Sequence, residues 1–323
     1  MTIAITGLGY FGAKLAARLL AKGVPVVALE NGFATDQAAV ERLRAHPDCR
    51  VIEGSVCDAA AARALLASGQ VTCVVHLAAQ ASAHPQAASS DYSEEVNLRG
   101  PRVILDAMVR HQVPRLVYAS SFRVYGRGLA GTISESTPYG EQDDLAHLSK
   151  CYVEPLLAMY ASRHNLVTVS LRFGLAYGVS PVMKTDPRFM TAPNRFCFQA
   201  VRGEPLELHE TATVPTGLLH VADAVRLLME ATTHPLAPGD HLFNAVAEVA
   251  SVASVARRVQ RAAARMGRTV SLTGPGAASG HEPAPFTVSS RLDAWDWQWT
   301  STLDQGIEQV LGHFARREQE GRT

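Results

Sequence analysis

A short apolar run, Ile3–Thr6, leads straight into Gly7-Leu8-Gly9-Tyr10-Phe11-Gly12 and then into a helical pattern, Phe11–Ala21, closed by Gly23. Few chains that begin this way can fold as anything but a βαβ unit. Each glycine has a separate task between a strand and a helix. Gly7 permits the tight turn, Gly9 lets a pyrophosphate touch the backbone, and Gly12 lets the helix pack close to the strand. The helix N-terminus adds free N–H groups and a partial positive charge for phosphates. The pattern predicts a dinucleotide site that includes Tyr10 and Phe11. Glu30 ends the next apolar run, where a carboxylate accepts both hydroxyls of an adenosine ribose and repels a 2′-phosphate. NAD is therefore expected over NADP.

The same alternation continues along the chain. Val24–Leu29, Arg50–Glu53, Val71–Leu77, Arg115–Ser120 and Val167–Arg172 read as buried parallel strands. Gln37–Ala45, Ala60–Leu66, Asn97–His111 and Ser149–Arg163 read as helices between them. This is the rhythm of an α/β fold, a Rossmann-type doubly wound parallel sheet with right-handed crossovers. It breaks after Gly178. Val179–Arg195 reads as a loop region covering a ligand, Phe196–Val201 as helical, and Leu218–Thr232 as containing an amphipathic helix. Leu242–Val246 reads as a strand, Ser251–Met266 as a helix, Thr273–Pro285 as a loop and Ser301–Arg316 as the closing helix. The expected division is a dinucleotide-binding domain, 1–178 with about 217–247, and a smaller C-terminal substrate lobe, about 179–216 with 248–323.

Composition narrows the partners. Thirty basic and thirty acidic side chains cancel, so nucleic acid is not expected. No apolar run approaches the ~20 residues of a membrane span, and the start resembles no signal peptide, so no membrane contact and a cytoplasmic location are expected. Cys49, Cys57, Cys73, Cys151 and Cys197 lack metal or disulfide spacing and are expected to be reduced, and the twelve histidines show no ligand pattern, so no metal is expected. Only four residues are lysines: Lys14, Lys22, Lys150 and Lys184.

Further segments carry a resemblance. Val74-Val75-His76-Leu77-Ala78-Ala79, Asn97-Leu98-Arg99-Gly100 and Ala119-Ser120-Ser121-Phe122-Arg123-Val124-Tyr125-Gly126 occur in that order. They are followed by Leu171-Arg172-Phe173-Gly174 and Leu219-His220-Val221-Ala222-Asp223. Together these resemble the extended short-chain dehydrogenase/reductases, specifically the NAD-dependent epimerase/dehydratase family that includes the nucleotide-sugar enzymes. The resemblance implies that Asn31, Ser55, Val56, Leu77, Ala78, Ala79, Asn97, Ala119, Lys150 and Phe173 also face the cofactor. It implies that Gln80, Ser82, Arg123, Leu175 and Lys184 face the substrate, with a homodimer formed through Asn97–His111 and Ser149–Arg163.

Family chemistry uses a Ser or Thr together with a Tyr and a Lys in Y-x-x-x-K, where the lysine lowers the phenol from its usual ~10. Ser121 and Lys150 match, but Ala146 stands where the tyrosine belongs. Three readings follow. His147, Tyr139 or Tyr125 replaces the phenol; or the chemistry is non-redox with structural NAD, as in an isomerase or lyase; or the chain is a silent NAD(H) binder. One residue along a helix turns a side chain by about 100°, so His147 would not stand in the tyrosine's place. Leu175 and Thr216 replace the asparagine and arginine with which nucleotide-sugar members hold a diphosphate, while Arg172, Lys184, Arg195 and Arg202 could supply charge. Phe122 and Arg123 replace the acid–base pair of dehydratases. The expected function is an NAD-dependent epimerase or oxidoreductase with atypical acid–base chemistry. Its substrate would be a hydroxyl- or keto-bearing small molecule: a sugar, nucleotide sugar or natural-product intermediate.

Overall fold

The computed structural model describes residues 1–33, 35–67, 70–84, 86–277 and 284–321. Its first half alternates strand and helix as expected: β1 Thr2–Thr6, α1 Gly12–Ala21, β2 Val26–Glu30, α2 Gln37–Arg44, β3 Cys49–Glu53, α3 Ala59–Leu66 and β4 Val71–His76. Two helices, α4 Ser90–Glu94 and α5 Gly100–His111, are joined by a π-helical turn, Glu95–Arg99. Then come β5 Arg115–Ser121, β6 Thr132–Ile133, α6 Leu145–His164, β7 Val167–Phe173 and β8 Leu175–Tyr177. The remainder holds α7 Ala192–Val201, β9 Leu206–Glu207, β10 Pro215–His220, α8 Val221–Thr233, β11 Gly239–Ala245, β12 Glu248–Ser251, α9 Val252–Arg265 and α10 Leu303–Gln319.

Seven strands form one parallel sheet in the order β11-β7-β5-β4-β1-β2-β3. All seven residues of β7 and all five of β2 are buried, because helices cover both faces. One apolar core joins α1, α2 and α8 to the sheet, and the other joins α3, α5 and α6 to it. The strand order reverses between β1 and β4, which places a crevice at their carboxyl ends. A separate core packs α7, α9 and α10 together with Leu206, Leu208 and Leu218.

Three expectations shift. The helix expected within Leu218–Thr232 is α8, preceded by an unexpected strand, Pro215–His220, which pairs with β8 and β12 in a small second sheet too short for a period-2 signal. α7 starts at Ala192, before the expected Phe196, because Pro193 sits in the first turn, where a missing N–H costs nothing. α6 starts at Leu145, before the expected Ser149, because the Asp144 carboxylate caps it by accepting from the His147 amide at 2.8 Å. Part of the expected loop Thr273–Pro285, residues 278–283, lies outside the described residues. Leu292 and the three tryptophans Trp295, Trp297 and Trp299 pack against the main sheet's core, so the C-terminal segment does not belong to one lobe alone.

Candidate active site

The turn after β1 is built as its glycines require. Gly7 has φ +83°, and a Cβ there would come within 3.0 Å of the Ala78 backbone. A Cβ at Gly12 would sit 1.9 Å from the Gly7 carbonyl oxygen, whereas one at Gly9 would meet nothing within 4 Å. The protein thus needs no glycine at position 9 for its own packing, and a group could approach the backbone there. Phe11, the N-cap of α1, makes no side-chain cap, which leaves first-turn amides for an anion. Glu30 is buried, with Oε2 accepting from the Leu8 amide at 2.5 Å and Oε1 from the Gly32 amide at 2.8 Å and the Thr35 hydroxyl at 3.1 Å. A dinucleotide fits this donor set.

Two cavities meet at the turn. The smaller, about 110 Å³, is lined by Glu30, Asn31, Val56, Leu77, Ala78 and Ala79, with Phe33 and Tyr92 stacked 4.3 Å apart at its rim. The larger, about 430 Å³, lies within the ~300–1,000 Å³ range of small-molecule sites. Its wall carries Tyr10, Phe11, Gln80, Ser82, His147, Leu175, Phe189, Met190 and Asn194. Gly7, Gly9, Phe33, Leu77, Ala79 and Lys184 line both. A third, more open cavity of about 600 Å³ lies among Met1, Leu19 and Trp297, at the opposite end of the sheet from these strand ends.

His147 points into the larger cavity from the first turn of α6. Its Nδ1 lies 2.7 Å from Asp144 Oδ2 and 2.8 Å from Oδ1, so the carboxylate that caps the helix also orients the ring. Burial raises the Asp144 carboxyl, but the hydrogen bonds and charge of His147 outweigh it and hold it below its ordinary value. With the proton on Nδ1, Nε2 is the free acceptor. Ala146, directly before it, is buried in the helix packing.

Other expected site residues serve differently. Lys150 is buried; its Nζ donates to the Ala119 carbonyl at 3.0 Å and stands 4.6 Å over the Tyr118 ring. Burial pushes its ammonium down to about 8, against the opposing charge of Glu154. Ser121 accepts from the Arg123 amide at 3.2 Å, which leaves its hydroxyl proton available, but neither Ser121 nor Lys150 is on the cavity wall. Asn97, in the π-helical turn, clamps Gln80 by accepting from its amide at 2.8 Å and donating to its carbonyl at 2.9 Å, so it positions the wall without lining it. The Ser55 hydroxyl caps a local turn at Cys57.

Several expected residues have other partners. Phe173 is a core residue packed 5.3 Å from the Phe11 ring, because β7 is covered on both sides. Arg123 turns outward to Asp143 at 3.4 Å. Tyr139 is half-exposed and donates to Glu154 Oε2 at 2.8 Å; burial and the neighbouring carboxylate push its phenol up, the wrong direction for a base. Tyr125 is tied to Asn244 at 2.7 Å and to Arg172. Arg172 itself is paired with Glu154 in the interior, and Arg202 with Glu204 at the surface, so neither is available to a substrate.

Several contributing residues gave little warning. Asp144 stands three residues before His147 at a helix start, a capping pattern visible in the sequence, whereas the Phe33–Tyr92 stack joins distant segments and left no signal. Deep in the sheet, His76 Nδ1 lies 2.8 Å from the Thr6 hydroxyl, and burial together with the Lys150 charge pushes its imidazole down to about 3. Among the described residues no group of His, Cys, Asp or Glu could hold a metal ion, and no helix is long and apolar enough to cross a membrane.

Comparison with known proteins adds a lineage. The sequence pattern of the NAD dependent epimerase/dehydratase family matches residues 3–273. The chain is 29% identical over 229 residues to a dTDP-glucose 4,6-dehydratase of Streptomyces griseus, covering 69% of this chain and 66% of the relative. It is 32% identical over 140 residues to short-chain dehydrogenase/reductase family 42E member 1 of Macaca fascicularis, covering 43% and 34%. It thus spans between about a third and two thirds of the length of these curated relatives. In fold it superimposes along its whole length, with a TM-score of 0.84 and 20% identity, on the whole of a UDP-glucose 4-epimerase from Bifidobacterium longum solved with NAD+ and UDP.

Proposed function

Because the chain belongs to the NAD-dependent epimerase/dehydratase family, we propose that it is an NAD-dependent enzyme of the extended short-chain dehydrogenase/reductase type, acting on a hydroxyl- or keto-bearing small molecule. One observation carries the reading: the dinucleotide cleft opens directly into a second cavity whose wall holds an imidazole oriented by a carboxylate. Residues 1–178 with about 217–247 would hold the cofactor, and about 179–216 with 248–323 the substrate, apart from the stretch 292–299, which packs on the main sheet.

Bound NAD would supply a hydride acceptor and donor for the substrate carbon. As the carbinol C–H bond breaks and the carbonyl forms, His147 Nε2 takes the hydroxyl proton, and the reverse step returns it to oxygen. Asp144 accepts from Nδ1 throughout and stabilises the imidazolium. Ser121 and Lys150 stand behind the cavity wall, so neither touches the reacting oxygen, and Lys150 biases the local charge from there. Two of the relatives are a dTDP-glucose dehydratase and a UDP-glucose epimerase, so nucleotide sugars are within range. Leu175, Phe189 and Met190 make the wall largely apolar and favour a sugar or natural-product intermediate with less charge. Calorimetric titration should find NAD bound at least ~10-fold more tightly than NADP, about 1.4 kcal/mol of discrimination supplied by Glu30. Tighter NADP binding would overturn the assignment.

The same reading includes a homodimer. Leu148, Tyr152 and Met159 on α6 are 51%, 50% and 37% exposed, an apolar face beside α4 and the π-helical turn. Sedimentation should give twice the 34.6 kDa chain mass, and a species that stays monomeric at micromolar concentration refutes the pairing.

A further inference from the structure

We infer that Lys184 is a ligand of the cofactor's pyrophosphate, carried across the cleft by the strap 178–190. The inference rests on the proposed NAD site and goes beyond it by giving the second lobe a direct hold on the cofactor.

The strap is pinned at both ends. At one end, the Tyr10 hydroxyl donates to the Gly178 carbonyl at 2.5 Å, Lys14 Nζ to the Val179 carbonyl at 2.6 Å, and the Ser180 hydroxyl to the Tyr10 carbonyl at 2.6 Å. At the other, the Ser82 hydroxyl donates to the Arg188 carbonyl at 2.5 Å and the Arg188 guanidinium to the Gln86 carbonyl at 3.1 Å. Lys184 lies between these ties and lines both cavities, as do Gly7 and Gly9. Residues shared by the two cavities mark the waist between an adenosine half and a nicotinamide half. A dinucleotide's pyrophosphate lies at its middle, on the glycine turn.

Lys184 is partly buried and, among the described residues, makes no hydrogen bond or ion pair. Burial disfavours its charge, and among the described residues the counter-charge acting on it is Glu30, whose two oxygens already accept three hydrogen bonds. An unpaired, partly buried ammonium is costly, and a doubly charged pyrophosphate at the waist would neutralise it.

The test titrates wild type and Lys184→Met with ADP-ribose, adenosine and NADP by calorimetry. The expected result is ADP-ribose affinity lowered ~10–100-fold, the range for a charged hydrogen bond, with adenosine affinity unchanged. Lys184→Arg should recover most of the loss. Unchanged ADP-ribose affinity overturns the inference, as does an equal loss for adenosine, which would mark a purely structural role. A loss confined to NADP would assign Lys184 to a 2′-phosphate and also overturn it. If wild type fails to bind ADP-ribose at all, it is the NAD reading that falls.

Discussion

Arg172→Met should lower the stability of the folded protein by ~3–5 kcal/mol, the cost of stranding one partner of a buried ion pair. Arg172 and Glu154 are 2% and 1% exposed. Arg172 Nε donates to Glu154 at 3.0 and 3.1 Å and Nη2 at 2.6 Å, while the Ser120 and Tyr139 hydroxyls donate to the same carboxylate at 2.5 and 2.8 Å. Methionine fills much of the volume but removes the only cation bonded to that carboxylate in the described structure. At roughly 2–4 °C per kcal/mol for a domain of this class, the melting temperature should fall by roughly 6–20 °C. The double variant Arg172→Met/Glu154→Leu should recover a good part of the loss, because removing both charges is far less costly than removing one. A single variant that melts within ~2 °C of the parent would show that the pair is not needed.

His147→Gln should cut turnover by ~10²–10⁴ once a substrate is in hand, the usual worth of a positioned acid–base group. Glutamine preserves polarity but cannot take up or release a proton near neutral pH. Because His147 lines the larger cavity and not the smaller one around Glu30, NAD affinity should stay within ~2-fold of wild type. Asp144→Asn should give a smaller loss through misoriented imidazole, while its amide oxygen still caps α6. Steady-state kinetics paired with NAD titration separates these effects. Full turnover in His147→Gln would sink the acid–base assignment.

Much of the architecture was legible because its signals are local. Apolar runs of strand length, helical spacing and a glycine turn each report on a few neighbouring residues, and all seven strands of the main sheet coincide closely with such runs. The cofactor side was legible for the same reason: Gly7, Gly9, Gly12 and Glu30 lie within one βαβ unit. What stayed hidden depends on contacts between distant segments. Tyr139 looked like a candidate base until Glu154 was found to hold its hydroxyl, and Arg123 like a substrate ligand until it was seen facing Asp143. Lys184 read as a source of charge for the substrate in a loop covering a ligand, and the fold sets it on the walls of both cavities together with Gly7 and Gly9. Short strands such as β8, β10 and β12 carry too few residues to show a period.

The outermost strand of the large sheet has a further consequence, for synthesis. β11 pairs with β7 along its whole length but arrives after the strap, α7 and α8 have been made. Until the ribosome has delivered Ala245, the all-buried β7 presents an open, apolar edge with unpaired backbone groups, the kind of surface that recruits strands from other chains. The nascent protein must therefore carry an almost finished nucleotide-binding half in an adhesive state, and the closing of that edge, late and over a long loop, is the step at which folding and aggregation compete most directly.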